Sequence, residues 1–257
     1  MLHCPQRQAP HLECSCRVVP VRPVERIEAH TEDGRPLRVD QHPYPDDGDH
    51  SAVLLVVDTG DPAGGDALAA RTRDLVRLVG RSKGHHRLAL ATLDSDLVLR
   101  QPFGSERKDL VRALKALEPS GSTSELYRGA LNAVRLLARE DAARKALFLV
   151  SDGRADDQAY FHRDVVAAAR EAGVVVFGLG YPRSPEEQPA LQTLRRLGED
   201  TGGAFLAAGE DRHLAPERLA GLFARLDSGG TLHARVPTVP AFRRDLTVRL
   251  RVVSGER

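Results

Sequence analysis

The sequence predicts an α/β fold built on a mostly parallel sheet with helices on both faces. Two observations carry this. Short, continuous apolar runs ("AVLLVV" from Ala52, "KALFLV" from Lys145, "VVVFGLG" from Val174) have the pattern of strands buried on both faces. Segments with helical spacing separate these runs, and strands alternating with helices imply parallel pairing through crossovers.

Before residue 51 the chain is rich in Pro, His and charge. "VERIEAH" and "PLRVDQH" read as two short strands around the turn "TEDGR", where Asp-Gly is a hairpin signal. "PYPDDGDH" reads as a linker; its acidic residues lack the length and closing glutamate of a calcium loop. The first buried strand then ends at Asp58. In the helix that follows, Leu68, Leu75, Leu78 and Val79 share a stripe. "RLALATL" and "DLVLRQ" read as a strand pair around "DSD", and "ERKDLVRALKAL" as an amphipathic helix. After the loop "PSGSTS", Ser124 is placed to N-cap the helix "ELYRGALNAVRLLARE". The next strand ends in "SDGRADD". Helix "YFHRDVVAAAREAG" stops at Gly173 as a C′ glycine. Two further helices, "PALQTLRRLGEDTG" and "APERLAGLFARL", flank the weak strand "GAFLAA". Beyond Leu226 the pattern becomes alternating, in "TLHARV" and "DLTVRLRVV". The expected organisation is an N-terminal extension (1–50), a central domain (51–227), and C-terminal strands (228–257) that pair with the N-terminal hairpin into one β-element.

Composition narrows the function. The 257 residues carry a formal net charge of +1, so no global field gathers nucleic acid or anionic membrane. Tryptophan is absent and other aromatics are few, which leaves no stacking platform for bases. No apolar run approaches the roughly 20 residues that cross a bilayer. The opening segment lacks the apolar core of a signal peptide, which reads as cytoplasmic; a truncated start would make the protein periplasmic or exported. Cys4, Cys14 and Cys16 all lie in that segment and match no zinc spacing; they are expected as reduced thiols in a frayed terminus. His85, His86 and His162 are expected on the surface.

Enzyme motifs are missing. "GDPAGGDA" lacks the Gly-Lys-Ser/Thr end of a phosphate loop, "DTGDP" lacks the second carboxylate of a phosphoaspartate site, and "GSTS" is not a nucleophile elbow. In a parallel sheet, ligands sit beyond the carboxyl ends of the strands. Three polar loops gather there: "DTGDP", "SGSTS" and "SDGRADD".

These loops, in this order, resemble the von Willebrand factor type A domain over residues 51–226, and the flanking β segments resemble those of a bacterial subgroup. The resemblance implies a doubly wound, Rossmann-like sheet with one antiparallel edge strand, which falls on "LALATLDSDLVLRQ". It also implies a metal-ion-dependent adhesion site built from Asp-x-Ser-x-Ser, a loop threonine and a later aspartate. Asp58 takes the first place. Thr123 takes the second, in a stretch similar to Gly-Thr-x-Leu-x-x-Ala-Leu. Asp152 takes the third. Gly60 and Pro62 stand where the two serines are expected. Glycine offers no side-chain oxygen and proline neither oxygen nor N–H, whereas Mg²⁺ needs near-octahedral oxygen. The implied site at Asp58, Thr123 and Asp152 is therefore degenerate, with Mg²⁺ or Ca²⁺ held weakly or not at all. Restoring the serines at Gly60 and Pro62 is expected to strengthen Mg²⁺ binding. The implied function is a non-enzymatic module for an unidentified protein partner, engaged through the upper edge (58–62, 121–124, 152–156). Asp58, Thr59, Asp61, Ser122, Thr123, Ser124, Asp152 and Asp156 are the candidate contacts. A metal-dependent adhesion module and a structural scaffold with a silent upper edge are the alternatives.

Overall fold

The structure, a computed structural model, describes residues 2–6, 11–16, 26–31, 33–60, 65–120, 123–235 and 248–253. Asp61, Pro62, Gly121 and Ser122 lie outside the described residues. The chain divides into two units, one of Met1–Asp49 with Ala224–Arg257 and one of His50–Phe223.

Among the described residues, the regular elements of the first unit are strands, apart from the end of the last helix. Its strands are β1 (Leu2–Gln6), β2 (His11–Cys16), β3 (Arg26–Thr31), β4 (Pro36–Leu37) and β5 (Val39–Pro43). The expected hairpin is present: Ala29 pairs with Leu37 and His30 with Pro36, around Gly34 at φ 83°. The second arm, however, splits at Arg38. β4 stays with β3, while β5 joins another sheet. The opening segment is not frayed either. β1 and β2 pair antiparallel, and Cys14 is buried and disulfide-bonded rather than a reduced thiol.

The second unit begins with β6 (Ser51–Asp58), all eight of whose residues are buried. Its Val- and Leu-rich run fits a strand covered on both faces, and burying each such side chain stabilises by about 1.5–3 kcal/mol. α1 (Gly65–Arg81) follows, with Leu68, Leu75, Leu78 and Val79 all buried as its stripe requires. β7 (His86–Leu93) pairs parallel with β6, and β8 (Leu97–Gln101) turns back antiparallel on β7. Then come α2 (Arg107–Lys115), α3 (Leu126–Ala138), β9 (Arg144–Ser151) and α4 (His162–Ala172). α4 ends at Gly173, whose φ of 68° is the left-handed conformation that glycine adopts without strain. After β10 (Val174–Gly180), a 3₁₀ turn at Pro185–Leu191 precedes α5 (Gln192–Asp200), β11 (Ala204–Ala207) and α6 (Pro216–Leu226).

The six strands of this sheet run β11-β10-β9-β6-β7-β8. β8 is its antiparallel edge strand; the other pairings are parallel. On one face, Leu54, Val56, Leu147, Leu149, Val174 and Val176 pack under α3, α4 and α5. His86 is buried rather than exposed: Lys83 N–H donates to its Nδ1, and its ring stacks on Phe223 at 4.3 Å. The strand order changes direction at β6, which makes the carboxyl ends of β6 and β9 the topological switch point of the sheet.

The last two strands belong to the first unit. β12 (Gly230–Arg235) pairs antiparallel with both β2 and β5, and β13 (Val248–Val253) pairs with β3. The terminal segments thus form two sheets, β1-β2-β12-β5 and β13-β3-β4, where one element is expected from the sequence.

Candidate functional site

Four strands deliver polar residues to this edge. Asp58 closes β6, Asp94 follows β7, Ser151 closes β9 with Asp152 next, and Tyr181 follows β10. Asp58 is 3% exposed and its carboxylate is engaged on both oxygens. Ser124 Oγ donates to its Oδ2 at 2.9 Å, Ser151 Oγ to the same oxygen at 2.7 Å, and Gly60 N–H to Oδ1 at 3.0 Å. Burial pushes the Asp58 carboxyl above the usual carboxylate range. The Ser151 and Gly60 bonds and the Arg71 charge oppose that rise, while neighbouring Asp152 adds to it.

Asp152 is 2% exposed and also engaged on both oxygens. Arg154 N–H donates to Oδ1 at 2.9 Å, and Arg183 Nε pairs with Oδ2. Beneath Asp58 lies Arg71 of α1, itself 2% exposed. Its Nη1 donates to the Asp58 carbonyl at 2.8 Å, and its guanidinium lies 6.0 Å from the Tyr181 ring centroid. Arg71 Nε and Nη2 have no hydrogen-bond partner among the described residues.

The loop before α3 is fastened from three sides. Thr59, 3% exposed, donates to the Leu93 carbonyl at 3.2 Å, and its hydroxyl lies 2.8 Å from Ser120 Oγ, which donates to Asp94 at 2.7 Å. Burial alone would raise the Asp94 carboxyl, but the bonds from Ser120, Asp96 N–H and Ser95 outweigh it and lower it. Ser124 and Asp156 exchange two bonds: Ser124 N–H to Asp156 Oδ2, and Asp156 N–H to the Ser124 carbonyl, both 2.9 Å. Asp157 then caps α3, accepting from Tyr127 N–H at 3.0 Å and Arg128 N–H at 2.8 Å. The expected N-cap role of Ser124 is therefore not seen. The capping position is Glu125, without a side-chain cap bond, and the Ser124 hydroxyl reaches Asp58 instead.

Of the sequence-predicted contacts, Asp58, Thr59, Ser124 and Asp152 come together but are buried, and Thr123 and Asp156 stand exposed. Ser124, not Thr123, places its hydroxyl on Asp58. The signal for this was in the sequence: in Gly-Thr-x-Leu the leucine comes two residues after the hydroxyl, and Leu126 is two after Ser124. Ser151, Arg71 and Arg183 were missed. Nothing marks the two arginines among 37 Lys and Arg. Gly60 has a physical reason to be glycine: a Cβ there would lie 2.4 Å from the Thr123 carbonyl oxygen.

A six-stranded, doubly wound sheet with an antiparallel edge strand and aspartates at its carboxyl edge defines the architecture of this unit. The family model of the von Willebrand factor type A domain matches residues 52–214, and the chain belongs to that family. Its members are, in general, interaction and adhesion modules. Solved structures share the fold at low identity. An aerotolerance-related membrane protein from Bacteroides fragilis aligns with a TM-score of 0.54 at 13% identity, over 69% of this chain and 98% of its own. BatB from Bacteroides thetaiotaomicron gives 0.51 at 17%, over 70% and 98%. Proximal thread matrix protein 1 from the mussel byssus, with a zinc-occupied MIDAS motif, gives 0.54 at 16%, over 75% and 49%. No curated protein matches the chain. No helix among the described residues is long and apolar enough to cross a membrane.

Proposed function

We propose that this protein is a non-enzymatic protein-binding module that meets its partner at the upper edge of the sheet with little or no dependence on a metal. The observation that carries the reading is the engagement of both site carboxylates by the chain itself. Asp58 accepts from Ser124, Ser151 and Gly60, and Asp152 from Arg154 N–H and Arg183. A hard cation requires free oxygen donors at close to octahedral positions. Here the glycine at residue 60 supplies none and has no room for one. Among the described residues, Asp58 and Asp152 at this edge therefore offer a divalent cation little that the chain does not already occupy. The buried residues hold the rim, and Thr123, Arg154 and Asp156 present it to solvent. Loops fixed this firmly on a rigid sheet suit recognition, because little entropy is lost when they are bound.

The test places a photo-crosslinking amino acid at Thr123 or Asp156, and at Arg112 on α2 as a control, in cells that make the protein. One partner captured from both upper-edge sites, absent from the α2 site and retained in EDTA, is the expected result. Capture from α2 alone supports the scaffold alternative. Loss of the upper-edge product in EDTA supports the metal-dependent one.

A further inference from the structure

We infer that two arginines of this chain, Arg71 and Arg183, take the place of a divalent cation at the carboxyl edge of the sheet, and that Arg183 is what keeps such a cation out. The inference rests on the metal-independent part of the reading above and not on which surface the partner touches. Asp58 and Asp152 are 3% and 2% exposed. Two carboxylates buried side by side are costly unless positive charge accompanies them. Two guanidinium groups supply it, one from each side. Arg71 lies beneath, in α1, against the Asp58 carbonyl. Arg183 lies after β10, on the Asp152 carboxylate.

Arg71 donates from Nη1 to the Asp58 carbonyl and lies 6.0 Å from the Tyr181 ring centroid, and among the described residues its Nε and Nη2 have no hydrogen-bond partner. Its buried positive charge stands beside Asp58. Arg183 differs: its side chain is 31% exposed and it covers Asp152 from the solvent side. A cation arriving from solvent must displace Arg183 to reach the Asp152 Oδ2. Removing Arg183 lifts that obstacle. It frees an Asp152 oxygen and takes one positive charge away from the two carboxylates.

The experiment is calorimetric titration of Ca²⁺, Mn²⁺ and Mg²⁺ into metal-stripped protein, with thermal melts alongside. The unmodified protein and Arg183→Lys, which keeps the charge, are expected to show no saturable binding. Arg183→Ala is expected to bind Ca²⁺ or Mn²⁺ at least about tenfold more tightly and to melt higher in their presence. Asp152→Ala added to it abolishes the gain. Should Arg183→Ala fail to fold, Arg183→Gln replaces it in the same comparison. Folded Arg183→Ala or Arg183→Gln that gains no cation affinity overturns the inference and leaves the metal-independent reading standing. Saturable binding by the unmodified protein, lost in Asp152→Ala, overturns both.

Discussion

Gly60→Ser, the substitution that on sequence grounds restores a metal ligand, is predicted to destabilise the protein without creating a metal site. A Cβ at residue 60 would sit 2.4 Å from the Thr123 carbonyl oxygen, 3.0 Å from its carbonyl carbon and 3.2 Å from Asp58 Oδ1. The first contact falls about 1 Å short of ordinary van der Waals separation. The obstacle is backbone, so no rotamer change relieves it. The backbone cannot retreat freely either, because the next residue, Ser124, is tied to Asp58 and by two bonds to Asp156. Overpacking of this kind costs about 1–3 kcal/mol, which lowers the melting temperature of a unit of this size by roughly 2–12 °C. Against this, a site with a dissociation constant near 0.1 mM would return only about 1.4 kcal/mol at ~1 mM Mg²⁺. Gly60→Ala carries the same Cβ without the hydroxyl, so it isolates the steric part. Both variants should melt well below the unmodified protein in EDTA, by similar amounts, and neither should recover fully in Mg²⁺. A Gly60→Ser protein that melts within about 1 °C of the unmodified one in EDTA would refute the steric reasoning.

Three further outcomes are expected. Asp74 of α1 is fully buried and accepts from Tyr181 OH at 2.9 Å and Leu214 N–H at 2.7 Å, with His213 Nδ1 at 3.1 Å. Asp74→Ala should therefore cost about 3 kcal/mol in urea unfolding and Tyr181→Phe about 1 kcal/mol; the reverse order would contradict this network. Asp157→Ala should cost about 1 kcal/mol, with amide exchange quickening at Tyr127 and Arg128 before the rest of α3; uniform quickening along the helix argues against a capping role. For Asp58, burial raises the folded-state pKa above the unfolded value near 3.8, so the ionised form is penalised in the native state and protonation relieves the penalty. The stability of the unmodified protein relative to Asp58→Asn should rise as pH falls from 7 towards about 4. A relative loss over that range would show the hydrogen bonds outweighing burial.

Local pattern carried the sheet and the helices. Val53–Val57, Leu147–Val150 and Val174–Phe177 are unbroken apolar runs because each strand is covered on both faces, and that demand is written residue by residue. The α1 stripe and Gly173 were legible for the same reason: each depends on spacing or backbone conformation within one element. Asp58 and Asp152 stood out because a charge closing an apolar run lies at a strand's carboxyl end. What those aspartates meet was decided elsewhere. Ser124 and Ser151 reach Asp58 from 66 and 93 residues away, Asp157 caps α3 from about 30, and Arg183 covers Asp152 from 31. Ser124 illustrates the limit. Its local preference as an N-cap gave way because Asp157 caps the helix and leaves the hydroxyl for a buried carboxylate. The split of the second hairpin arm is of the same kind, since β5 turns to β12 about 190 residues later. A hydrogen bond between distant segments has no period and no spacing. The sequence by itself set where the charges stand, and only tertiary packing decided that arginines of the same chain would stand beside them.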